Sequence, residues 1–143
     1  MSARPLLLAA LVAALSCACR MRAPEPEGAA PAVEAGWNVC ESALGTWVVR
    51  WRSEPERLEF GAPARLVVEA HRLDGLAADE LRADAGMPQH GHGVLRRMQV
   101  EDLGQGRFAV ENVYLHMPGA WRVYLDVGRA GVFERVELEL EVD

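Results

Sequence analysis

The chain has 143 residues, 15 of them basic and 21 acidic, and every basic residue is an arginine. That length suits one folded domain, and a composition half apolar supplies a core once the ends are discounted. From residue 23 onward 12 arginines stand against 21 acidic residues, a formal net charge of −9. So acidic a body argues against nucleic acid as a partner, because phosphate binding needs a basic surface.

At the amino terminus Arg4 leads into an apolar run of ten residues, Leu6 to Leu15, and then Ser16-Cys17-Ala18-Cys19. Ten residues are too few to cross a bilayer as a mature helix but suit the core of a secretory signal. The small residues and cysteines after it resemble a bacterial lipoprotein processing site, with Cys17 or Cys19 as the lipidated residue. The alternative is ordinary secretion with cleavage nearby, which would leave Cys19 free to pair with Cys40. Either version puts the body outside the cytoplasm. Residues 1–19 are therefore read as the signal and processing region, and residues 20–40 as a tether. Pro24, Pro26 and Pro31 with their Glu and Ala neighbours cannot bury enough apolar area to offset ordering entropy. Cys40 is either a free buried thiol or half of a disulfide to that tether.

Residues 41–143 alternate apolar and polar side chains with period two. Trp47, Val49 and Trp51 share one strand face. Leu66, Val68 and Ala70 share another after the Gly61-Ala62-Pro63 break, and Asp74-Gly75 turns the chain. The Leu76 to Leu81 run has room for one helical turn, and Leu81, Ala83 and Ala85 make a third strand. Val94, Met98 and Val100 suggest a fourth, Gly104-Gln105-Gly106 a hairpin turn, and Phe108 to Leu115 a fifth. Trp121, Val123, Leu125 and Val127 form the sixth, turned by residues 128–131. Val136, Leu138, Leu140 and Val142, interleaved with Glu137, Glu139 and Glu141, form the seventh. Seven short strands with regular turn signals predict an all-β fold, a seven-stranded antiparallel immunoglobulin-like β-sandwich, with Trp47, Phe108 and Trp121 in its core.

Two segments stand out chemically: Met87-Pro88-Gln89-His90-Gly91-His92-Gly93 and His116-Met117-Pro118-Gly119. They hold three of the four histidines and two of the five methionines, each beside Pro and Gly. Thioether sulfur selects Cu(I), imidazole binds either copper oxidation state, and such a site needs no thiolate or carboxylate. In this fold the two loops can share one end, which would bring His90, His92, His116 and Met117 together, so that a copper site could use His90 and His92 with Met117, and Met87 or His116 as a fourth ligand. In an extended segment His90 and His92 project to the same side, and Gly91 and Gly93 let the backbone tighten. The competing reading makes the same loops pure turn geometry, with Met87 and Met117 as gap-filling core residues. His71 and Met98, in strand patterns without Gly or Pro, read as structural. No nucleophile elbow, phosphate-binding glycine loop or zinc-protease helix is present, so no enzymatic role is expected.

The run from Arg57 through Gly61-Ala62-Pro63 and Asp74-Gly75, the Met87 to Gly93 loop, Gly106-Arg107-Phe108 and the His116 to Trp121 turn resembles the YtkA-like domain family. The resemblance spans Gly45 to the end, and the family is similar to FixH-like proteins. It implies an immunoglobulin-like sandwich on secreted or membrane-tethered bacterial proteins, with a role in copper handling or respiratory oxidase assembly. Two functional expectations follow. One is a lipid-anchored extracytoplasmic domain that binds or delivers copper to an acceptor. The other is a metal-free accessory or interaction module of a cell-envelope complex.

Overall fold

Alternating side chains, with no segment of 3.6-residue period, favour extended backbone throughout the body. The computed structural model describes residues 36–143, and among them the chain forms nine strands and no helix. In chain order these are β1 (Asn38–Glu41), β2 (Trp47–Glu54), β3 (Pro63–Arg72), β4 (Glu80–Met87), β5 (His92–Gly93), β6 (Gln99–Gly104), β7 (Arg107–Tyr114), β8 (Gly119–Arg129) and β9 (Val132–Val142). They pair antiparallel in two sheets, ordered β1-β2-β3-β7-β6 and β5-β4-β8-β9. The expected signal, the lipidation candidates Cys17 and Cys19 and most of the tether lie outside the described residues.

Nine strands replace the seven expected, and the two additions are short. β1 takes the last three residues assigned to the tether together with Glu41, and pairs Asn38 to Glu41 with Trp51 to Val48. Four mostly exposed residues carry too little periodicity to announce a strand; the free edge of β2 supplies the hydrogen bonds instead. β5 is two residues long and continues the ladder of β4, with Met87 opposite His92 and Gly86 opposite Gly93. The fourth expected strand begins later than its apolar residues suggest. Val94 and Met98 precede β6 and pack on the core from a crossing segment. No helical turn forms near Leu76, because Ala77 bridges to His71 and Glu80 already opens β4. The β8–β9 turn is tighter than residues 128–131: Ala130 and Gly131 alone turn the chain, both at positive φ, as a two-residue hairpin requires.

The inward faces of both sheets contribute to one hydrophobic cluster that includes Trp47, Val49, Leu66, Val68, Phe108, Val110, Trp121, Val123, Val136 and Leu138. Its three large aromatics are the expected ones. Val67 and Ala109 are also buried, although they lie on the opposite face of their sheet, where they pair across β3 and β7. Arginine and glutamate side chains cover that face. Glu69 bridges Arg50 and Arg107, and Arg65 bridges Glu54 and Glu111. At the other edge, buried Ser42 accepts the Trp47 N–H at 2.9 Å and donates to Glu134 at 2.6 Å, holding that carboxyl below its ordinary range.

Cys40 is a half-buried free thiol with Sγ 3.7 Å from the Val49 carbonyl oxygen. Burial pushes its pKa from the ordinary 9.0 up to about 11. Because the thiolate is the nucleophile, roughly a hundredfold less of it exists at neutral pH than at an exposed cysteine. Site-resolved alkylation should therefore be slow at Cys40 in the native chain and fast in denaturant. Truncation of the buried Phe108 to alanine is expected to cost about 3–5 kcal/mol, read as a lower urea midpoint.

Candidate functional site

Two turns meet where β4 ends and β8 begins. β4 runs antiparallel to β8 with Gly86 opposite Arg122, so the chain leaving Met87 emerges beside the chain entering Gly119. The first turn, residues 88–91, is closed by the Met87 carbonyl, which accepts N–H bonds from both His90 and Gly91 at 3.0 Å. Gly91 sits at φ +69°, a conformation that glycine adopts without steric cost. The second turn, residues 115–118, connects β7 to β8 and carries His116 and Met117.

The imidazoles of the two turns form a chain. The His92 ring centroid lies 5.7 Å from that of His90 and 5.6 Å from that of His116, with interplanar tilts of 33° and 35°. His90 and His92 are exposed, and His116 is half-buried. Its Nδ1 is buried without a hydrogen-bond partner among the described residues, an arrangement that ordinarily costs about 1–3 kcal/mol.

Trp121, only 1% exposed, forms the floor. Its ring stands edge-on to His116 at 5.3 Å and to His92 at 6.4 Å. Its Nε1–H donates to the Met117 carbonyl at 2.9 Å, which ties the second turn to the core. Sequence reasoning recognised Trp121 as a core aromatic and missed this second role. The signal was the Pro118-Gly119-Ala120-Trp121 spacing, which places the indole directly beneath a turn.

The methionines differ in setting. Met117 is half-buried and packs against the core. Met87 is 2% exposed and belongs to the core cluster. Its methyl reaches beneath the second turn, where a Cβ added to Gly119 would lie 3.3 Å away on backbone at φ +114°. Gly119 thus leaves room for a thioether under the histidine turn. As the side chains stand, no group of three or more His, Cys, Asp or Glu among the described residues forms a ligand set for a metal ion. The Asp84 carboxylate accepts the Ala85 N–H at 2.8 Å. His71 lies at the opposite end of the strands, its Nε2 3.1 Å from the Gln105 carbonyl oxygen. Beside the first turn an open groove of about 460 Å³ is lined by Pro88, Gln89, Trp121, Arg122, Glu139 and Leu140 among others.

Compared with models of protein families, with characterised proteins and with solved structures, the chain has no match. The functional argument therefore stands on the residues themselves.

Replacing Trp121 by phenylalanine keeps an aromatic floor and removes the bond to Met117. The expected loss of stability exceeds about 1 kcal/mol, the worth of the bond alone, because phenylalanine also refills less of the buried site. Urea unfolding checks the loss, and histidine ring NMR signals should show that the His116 turn is the part that moves.

Proposed function

We propose that the chain is an extracytoplasmic, membrane-tethered module that binds copper(I) through His90, His92 and His116, with Met117 as thioether ligand and Met87 offering a second from the core side. The observation that carries this reading is the position of the His92 ring, 5.7 Å from one neighbouring imidazole and 5.6 Å from the other. Metal–nitrogen bonds of about 2.0–2.1 Å hold imidazole centroids about 3 Å from a shared ion, and hence about 5–6 Å from each other, a spacing that His92 meets with each neighbour, while His90 and His116 are linked only through it. The Nδ1 of His116, without a partner among the described residues, supports the same reading, because a bound ion would satisfy a ring nitrogen that these residues leave unpaired. Thioether ligands from Met117 and Met87, which flank the same two turns, would favour Cu(I) over zinc, for which methionine is a poor ligand. Binding turns the rings about their χ angles to converge their nitrogens, and exposed His90 and His92 have the freedom to do so.

In this reading the two sheets form an immunoglobulin-like β-sandwich of seven principal strands, with β1 and β5 as short additions to its edges. That matches the resemblance of the Met87 to Gly93 and His116 to Trp121 segments to the YtkA-like family. The Leu6 to Leu15 run with Cys17 and Cys19 supports a lipid anchor in the cell envelope.

A second reading, a metal-free accessory module of an envelope complex, is favoured by one observation: the described residues hold no preformed ligand set. Anaerobic Cu(I) titration of the full chain against a competing chelator separates the two. Wild type should withdraw copper from the chelator, and the double variant His90→Ala, His92→Ala should lose that ability. Identical competition by both would end the copper reading and leave the accessory module.

A further inference from the structure

Beyond the histidines, the same end of the strands carries an unusual charge pattern. The described body contains 12 arginines, and nine of them form ion pairs with carboxylates. Arg82 stacks on Phe133 and acts electrostatically on Asp126. Arg96 and Arg97 differ from all of these, since neither meets a carboxylate among the described residues. Arg96 lies over the Tyr114 ring at 4.5 Å, and both arginines are exposed. Leu95 before them is 72% exposed, an apolar side chain that the core does not use.

The position of this turn matters. It follows His92 by three residues, and Tyr114, which holds Arg96, precedes His116 by two. The turn is therefore anchored between the two segments that carry the imidazoles. On a body with 18 acidic residues against 12 arginines, two uncompensated cations around an exposed leucine make a local patch of inverted sign. Such a patch steers an oppositely charged partner and fixes its orientation.

We propose that the Leu95–Arg97 turn is a docking surface for the acidic face of a protein partner, which exchanges copper(I) with the neighbouring histidines. A protein fits better than a lipid surface. Each basic residue near an anionic membrane contributes only about 1 kcal/mol, and the acidic remainder of this body opposes approach to an extended anionic plane. A partner with one acidic patch meets the arginines and leaves the rest of the body in solvent. The exchange role rests on the copper reading above, whereas the docking itself rests on the charge pattern.

The test uses the full chain with a synthetic hexaglutamate peptide as probe, followed by amide NMR. Shifts should cluster on residues 94–98 and Tyr114. They should fade as salt rises toward about 1 M, where screening acts within about 3 Å. The double variant Arg96→Glu, Arg97→Glu should weaken peptide binding at least about tenfold while keeping wild-type copper competition. The double variant His90→Ala, His92→Ala should keep peptide binding. Peptide binding that survives charge reversal, or shifts centred elsewhere, would overturn the proposal. So would recruitment of the turn to phosphatidylglycerol vesicles without peptide binding. A chain that docks the peptide through Arg96 and Arg97 but takes no copper upholds the docking surface and removes only the exchange role.

Discussion

The pairing of β4 with β8 sets both the core and the candidate site. Seven consecutive residue pairs, from Glu80 opposite Gly128 to Gly86 opposite Arg122, lock the two strands in register. A one-residue slip would turn Leu81 and Ala85 on one strand, or Trp121, Val123 and Leu125 on the other, out of the core. The same register decides where the chain leaves β4 and where it enters β8. The imidazoles of His92 and His116 are neighbours because the hydrophobic faces of these strands permit one alignment. Site geometry here is a by-product of core packing, transmitted through Trp121, which belongs to both.

Much of the architecture was legible in the sequence, for identifiable reasons. β8 alternates from Ala120 to Val127 and β9 from Arg135 to Val142, and β4 runs without interruption into a Met-Pro turn, so their periodicity outweighs any competing signal. β1 and β5 were not legible. Strands of four and two residues form because an established neighbour offers unpaired backbone groups, which is a tertiary property. Val67 and Ala109 escaped for a related reason. Their burial depends on arginine–glutamate pairs assembled from β2, β3 and β7, and no local pattern records which strands will lie side by side.

The site shows the same division. Loop placement in an all-β chain left room for His90, His92, His116 and Met117 to share one end; the rings of His90, His92 and His116 form a chain there, while Met117 packs against the core. The burial of Met87 beneath Gly119, the edge-on indole of Trp121 and the orphaned Nδ1 of His116 depend on distances, which spacing along the chain cannot convey. The isolation of Arg96 and Arg97 is a further case. An arginine is uncompensated only relative to the carboxylates that the fold brings near, and nine others on this body found partners.

β9 lies at the open edge of its sheet, where unpaired backbone groups invite another strand. Its two ends are already engaged, through the Arg135 carbonyl to Ala43 N–H and the Asp143 carbonyl to Phe60 N–H. Along the middle, Glu137, Glu139 and Glu141 all face solvent. Antiparallel association of two copies through this edge would set three carboxylates, Glu137 and Glu139 among them sharing Arg122, opposite their duplicates, a like-charge juxtaposition that destabilises strand pairing. The alternation that buries Val136, Leu138 and Leu140 thus also acts against self-association, so an edge strand that carries part of the core is guarded against templating an aggregate.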